Sequence, residues 1–135
     1  MDIDLSTPEK ALHLLEHAYR ERDLELAMAC RNFGHEAELM LHHLARKQPT
    51  LDVFTPETQS QLADVLEAQW KQAGPPDFNG VSSEVSSVEH YLGKFHIATE
   101  SGRHADGTPF SQRLFMSHQD GRWAVLCPAS VHASP

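Results

Sequence analysis

The sequence predicts an α+β domain in which helices come first and an antiparallel sheet follows. Two similar helix-start signals, Thr7-Pro8-Glu9 and Thr55-Pro56-Glu57, lie in the first half of the chain. Near Val81 the apolar residues change from helical to alternating spacing, which is typical of strands. Two Asp-Gly pairs, at Asp106 and Asp120, then mark hairpin turns, because Gly accepts the positive φ that such turns require.

Length and composition indicate a single domain. A chain of 135 residues, 40% of them apolar, has the material for one core. We assign one domain to residues 1–135, with residues 1–5 and 129–135 as flexible ends. The first residues lack a basic segment followed by an apolar core, and no apolar run approaches the roughly 20 residues of a spanning helix. A cytoplasmic location is the expectation that follows.

The first helices are predicted from caps and periodicity. Helix one begins at Thr7, whose hydroxyl can cap it, and runs to Arg22. Its apolar face holds Leu12, Leu15, Ala18 and Tyr19. Asp23 can cap a second segment, in which the apolar pattern continues through residues 24–46. Periodicity leaves open whether that segment is one helix bent near Gly34 or two helices.

A further helix follows a break at residues 48–50. It starts at Thr55 and ends at Gly74, where glycine and the prolines after it cannot continue a helix. Its buried face is expected to hold Leu62, Val65, Leu66, Trp70 and Ala73.

Charge limits the classes of partner. The chain has a formal net charge of −8, and its 11 Lys and Arg residues are scattered. Neither nucleic acid nor an anionic membrane is expected as a partner, since both require a basic patch. Residues 51–80 carry five acids, Asp52, Glu57, Asp64, Glu67 and Asp77, against one base, Lys71. This helix face is either solvated or a docking surface for a basic protein through Glu57, Asp64 and Glu67.

Four strands are expected in the second half, which is rich in β-branched and aromatic residues. They cover residues 82–91, 94–103, 109–119 and 122–127. If both Asp-Gly pairs are two-residue loops, His118 lies opposite Trp123, and Glu100 lies opposite Arg113. The same register pairs Met116 with Val125, Leu114 with Cys127, Ile97 with Met116, and Thr99 with Leu114.

This register divides the sheet into two faces. The face expected to pack on the helices holds Phe95, Ile97, Thr99, Leu114, Met116, His118, Trp123, Val125 and Cys127. The reverse face holds His96, Ala98, Glu100, Arg113, Phe115, Ser117, Ala124 and Leu126. Phe115 and Leu126 would form an exposed apolar patch there. A protein partner, or a second copy in a homodimer through the sheet, would cover it.

Neither a metal nor a cofactor is expected. The two cysteines lie far apart and are expected to be reduced. His13 and His17 have the helical spacing at which two imidazoles reach one ion, but no third ligand is indicated. His35-Glu36 begins like a zinc-protease helix, yet Leu39 occupies the position of the second histidine. No phosphate loop or dinucleotide fingerprint is present.

Three segments resemble a known superfamily. Residues 6–25, from Ser6-Thr7-Pro8-Glu9 onward, resemble the first helix and turn of nuclear transport factor 2-like (NTF2-like) proteins. Residues 120–125, Asp-Gly-Arg-Trp-Ala-Val, resemble their last hairpin. Residues 30–33 and 36–41 are similar to a bacterial branch that includes immunity proteins of polymorphic toxin systems. The resemblance implies N-terminal helices packed on a curved antiparallel sheet of about four strands, although residues 23–74 are more helical than is usual there.

Two functions follow as hypotheses. The first is a non-catalytic binding protein, an immunity protein that binds and neutralises a cognate bacterial toxin. The alternative is an NTF2-like pocket enzyme, isomerase or hydrolase-like, or a small-ligand binder. It would use His118 as base and Tyr19 or Tyr91 as proton donor. Its pocket would be lined by Tyr19, Phe95, His118 and Trp123. The acidic balance, the Phe115 and Leu126 patch and the lack of a positioned acid-base pair favour the first.

Overall fold

The computed structural model describes residues 3–47, 55–74, 76 and 80–129. The predicted break at 48–50, Asp52, Asp77 and the tail beyond residue 129 lie outside this part of the chain. The helices within it are α1 (Pro8–Glu21), α2 (Leu24–Ala29), α3 (Phe33–Lys47) and α4 (Pro56–Ala73). The strands are β1 (Ser82–Leu92), β2 (Phe95–Arg103), β3 (Pro109–Gln119) and β4 (Arg122–Pro128). They form one antiparallel sheet in the order β1-β2-β3-β4, so the α+β class is confirmed.

Local signals start the helices where the sequence predicts. The side chains of Thr7, Asp23 and Thr55 each accept a hydrogen bond from the backbone N–H three residues later, at 3.0 to 3.1 Å. Residues 24–46 contain two helices, α2 and most of α3. The break precedes Gly34, because the Asn32 side chain accepts from the His35 N–H at 2.9 Å and begins α3.

Helices cover both faces of the sheet. One buried cluster joins α1 and α2 to one face through Leu5, Ala11, Leu12, Leu15, Ala18, Tyr19, Ala27, Cys30, Ala98, Leu114, Met116, Trp123 and Val125. A second joins α3 to the other face through Leu39, Phe95, Ile97, Phe115, Leu126 and Ala129. Leu5 and Ala129, which the sequence assigns to flexible ends, are therefore both buried.

The predicted register between β2 and β3 is wrong by one residue. Glu100 lies opposite Gln112 rather than Arg113. Ile97 lies opposite Phe115 rather than Met116, and Thr99 opposite Arg113 rather than Leu114. The cause is the loop, which contains residues 104–108 rather than Asp106-Gly107 alone and is closed by a 2.8 Å bond from the His104 N–H to the Thr108 carbonyl. A one-residue shift moves every β2 side chain to the opposite face relative to β3.

The hairpin of β3 and β4 has the predicted register near its turn. His118 pairs with Trp123, and Met116 pairs with Val125, so these two predictions are confirmed. Further along, an irregularity between Leu114 and Met116 places Leu114 opposite Pro128 rather than Cys127.

The prediction of an exposed apolar patch on the sheet is wrong. Phe115 is 0% exposed and Leu126 is 2% exposed, because α3 covers this face. The exposed patch from which a homodimer through the sheet was predicted is therefore absent from this face. The outer edge of β4 is also partly covered, since the Trp123 N–H donates to the Leu5 carbonyl and the Val125 N–H donates to the Cys30 carbonyl, both at 2.8 Å.

Helix α4 differs from the expectation of a buried helix. None of its 18 residues is buried, and Val65 is 50% exposed. Trp70 is half-buried and packs against Phe33, with 5.6 Å between ring centroids, and against the edge of the first cluster. The predicted stripe of α4 is therefore only partly covered. None of the helices in the described residues combines the length and apolar character needed to cross a bilayer.

Candidate functional site

The pocket predicted around His118 is not assembled. Tyr19, His118 and Trp123 lie on the α1 side of the sheet, whereas Phe95 and Tyr91 lie on the α3 side. The register shift explains this separation, because it moves Phe95 to the other face. His118 is exposed and stacks on Trp123, with 4.4 Å between ring centroids and 4° between planes. An imidazole in this position faces solvent rather than an enclosed substrate.

Tyr91 has a partner on α3 instead. Its hydroxyl lies 2.9 Å from His43 Nε2, and its ring packs on Phe115 with 5.2 Å between centroids. The Tyr91 hydroxyl is therefore used to join β1 to α3.

Two buried carboxyl groups meet between α1 and the sheet. Glu16 of α1 is 3% exposed and Glu100 of β2 is 1% exposed. The Ser83 hydroxyl lies within hydrogen-bond distance of both, contacting Glu16 Oε1 and, at 2.7 Å, Glu100 Oε2. Gln112 Nε2 donates to Glu100 Oε1 at 2.5 Å. Since one hydroxyl has one hydrogen, it cannot donate to both carboxylates at once, and a carboxyl proton is needed to complete the network.

The pKa values of the two groups move apart. Burial raises the pKa of Glu16 to about 8, and the hydrogen bond and charge of Glu100 act in the same direction. Burial also acts to raise the pKa of Glu100. Hydrogen bonds with Glu16, Gln112 and Ser83 outweigh it, so the pKa of Glu100 lies below its ordinary value. The pair therefore holds one proton near neutral pH, on Glu16.

Split pKa values suit acid-base catalysis, but this pair lacks access. A depression of about 420 Å³ lies over the adjoining strands and includes Ser83, yet neither Glu16 nor Glu100 lines it. Sequence reasoning missed the pair, because it matched Glu100 with Arg113. The available signal was the spacing of Leu12, Glu16 and Tyr19, which places Glu16 within the apolar face of α1.

A serine and a histidine form a second polar cluster, on the α3 side. His35 Nε2 lies 2.8 Å from Gln119 Oε1, and His35 Nδ1 lies 2.8 Å from the Ser117 hydroxyl. Because the amide oxygen only accepts, Nε2 carries the hydrogen and Ser117 donates to Nδ1. Burial is the main cause that lowers the pKa of His35, and the positive charge of Lys94 lowers it further. Ser117 is 1% exposed, so its hydroxyl is closed to a substrate although His35 is only half-buried.

An apolar groove of about 560 Å³ lies between α3 and α4. Its walls come from Met40, Leu41, His43 and Leu44 on α3, and from Thr58, Gln61, Leu62 and Val65 on α4. Leu44 is 39% exposed and Val65 is 50% exposed, so apolar side chains reach solvent at its rim. This volume lies in the range of ligand-binding sites.

The predicted acidic contacts lie on α4. Glu57 and Asp64 are exposed, and Glu67 is 3.0 Å from Lys71. The Gln61 amide, which lines the groove, donates to Glu57 Oε1 at 3.5 Å. The acidic face and the apolar groove therefore adjoin.

No group of three or more His, Cys, Asp or Glu side chains in the described residues is arranged to hold a metal ion. Comparison with known proteins adds no relative: no family model matches the chain, and no curated protein or solved structure is significantly similar to it.

Proposed function

We propose that this chain is a non-catalytic binding protein of the NTF2-like superfamily and that it neutralises a protein toxin by direct contact. The observation that carries the proposal is the open apolar groove beside the acidic face of α4. Such a surface is typical of sites that are completed by another protein. The family assignment rests on the resemblance of α1 and of the β3–β4 hairpin.

The state of the polar clusters supports binding rather than turnover. Acid-base chemistry needs a positioned pair that a substrate can reach. Glu16 and Glu100 are positioned but both buried, and Ser117 is buried beside a half-buried His35. His118 is accessible, but its neighbours are the Trp123 indole and the His96 imidazole, with 4.4 and 6.3 Å between ring centroids, and neither carries a carboxyl or hydroxyl group.

Charge supports a basic target. The net charge of −8 would attract a basic toxin over long distances and raise the association rate. An inhibitor of this kind gains from fast binding, because the toxin must be captured before it acts.

The test is co-expression with the product of the adjacent gene in a bacterial host. We expect the neighbour to be toxic alone, cells to survive when this chain is present, and the two proteins to co-purify. A non-toxic neighbour that does not bind, together with conversion of a small metabolite that a His118→Ala variant abolishes, would replace the proposal with the pocket-enzyme hypothesis.

A further inference from the structure

We infer that the groove between α3 and α4 receives a basic amphipathic helix of the partner protein. This inference rests on the proposed function and names the surface that performs it. It replaces the face around Phe115 and Leu126, which α3 covers.

The walls of the groove have the geometry of a helix receptor. On α4 the lining positions Thr58, Gln61, Leu62 and Val65 follow the spacing i, i+3, i+4 and i+7, so they form one continuous face. At 1.5 Å per residue this face is about 10 Å long, or two helical turns. The lining positions on α3 lie within little more than one turn of each other. Two such faces side by side present a trough, in which a third helix can place its apolar residues.

Two carboxylates border this trough without a basic partner among the described residues. Glu57 lies four residues before Gln61, and Asp64 lies three residues after it, so both adjoin the groove wall. Within the described residues neither Glu57 nor Asp64 takes part in a salt bridge, whereas Glu67 pairs with Lys71. An incoming helix with Lys or Arg beside its apolar stripe would supply the missing charges.

Other occupants fit less well. A small ligand is normally enclosed on most of its surface, but this groove is bordered by apolar side chains that remain 39% and 50% exposed. An extended peptide would add to a sheet edge. The outer strand β1 has register shifts between Val85 and Ser87 and between His90 and Leu92, and exposed Glu84 and Glu89, which are features that discourage strand addition.

The probe is a synthetic peptide of about 18 residues, with Leu at i, i+3, i+4 and i+7 and Lys at the other positions. Its twin carries Glu in place of every Lys. Binding to the full chain is followed by fluorescence anisotropy at low and at physiological salt. We expect the Lys peptide to bind, more weakly at higher salt, and the Glu peptide not to bind.

Two pairs of variants locate the site. Val65→Glu should weaken binding about tenfold or more, while Leu92→Glu, at a residue 40% exposed on β1, should leave it unchanged. Glu57→Gln with Asp64→Asn should reduce the salt dependence. The control pair, Glu84→Gln with Glu89→Gln, makes the same change in net charge on β1. It should leave the salt dependence of binding unchanged. Circular dichroism confirms folding, and Leu44→Gln serves as a second groove variant.

The inference is overturned if the Lys peptide does not bind, if the Glu peptide binds equally well, or if the β1 variants weaken binding as much as the groove variants. It is also overturned if replacing Leu51, Val53 and Phe54 by Ser strengthens binding, since the groove would then belong to this chain's own linker. Toxin neutralisation is scored separately. If Val65→Glu and Leu44→Gln still protect cells and still bind the neighbour, the groove is not the binding surface and the proposed function stands.

Discussion

Replacing Glu16 by Gln should remove a pH dependence of stability that the buried carboxyl pair creates. The pKa of Glu16 is raised from 4.5 to about 8 in the folded chain. The folded state therefore keeps a proton that the unfolded state releases. The stabilisation is fully present below the unfolded pKa and is lost as pH rises toward the folded pKa of about 8. Glu100, whose pKa is lowered, has the opposite sign and acts at acidic pH.

The magnitude follows from linkage. Between pH 7 and pH 9 ionisation of residue 16 raises the equilibrium constant of unfolding by about a factor of ten, because the carboxyl group ionises more readily in the unfolded state. The free energy of unfolding should therefore fall by about 1 kcal/mol in the wild type. The neutral amide of Gln keeps the shape and can donate to Glu100, but it does not titrate. The thiols of Cys30 and Cys127, whose pKa values are raised to about 11, add a loss of the same sign in both proteins.

The assay is urea denaturation at pH 7 and pH 9, followed by circular dichroism. Wild type should lose about 1 kcal/mol more than Glu16→Gln across this interval, and Glu21→Gln, at an exposed carboxylate on the same helix, should behave as wild type. Equal pH dependence in wild type and Glu16→Gln would refute the shared proton.

Three further predictions concern the core. Phe115→Ala should cost about 3 to 5 kcal/mol, because the ring is fully enclosed between β3 and α3, and a loss below 1 kcal/mol in urea denaturation would contradict that layer. Trp123→Ala should cost a similar amount, and an unchanged melting temperature would show that the α1 face is not a core. Cys30, which is buried and whose pKa burial raises to about 11, should react with a thiol reagent at pH 8 only on unfolding, and rapid labelling of Cys30 in a native Cys127→Ser variant would be the contrary result.

Features that depend on neighbouring residues could be predicted from the sequence. Thr7, Asp23 and Thr55 cap helices because a side chain and an N–H three residues away are enough. The pairing of His118 with Trp123 follows from a true two-residue turn. The same argument gives the wrong register for the loop between β2 and β3, because the hydrogen bond from the His104 N–H to the Thr108 carbonyl closes a longer loop.

Features that depend on distant residues could not be predicted in this way. Periodicity shows that α3 has an apolar face, but not that this face meets the side of the sheet that contains Phe115. It likewise shows the stripe of α4 without showing how little of it is covered. The candidate groove exists because of that incomplete coverage. Its acidic border and its apolar α4 wall were visible from the sequence, whereas the exposure of that wall was not.

Helix α4 has no buried side chains, so most of its surface can change without a change in core packing. Substitutions in a buried helix change partner contacts and core packing together, so stability limits which changes can persist. Along α4 most positions can vary at the surface while the two clusters around the sheet remain intact. Under the proposed function, sequence change could therefore alter partner specificity on an unchanged scaffold, and a library randomised along the solvent side of α4 should yield mostly folded proteins.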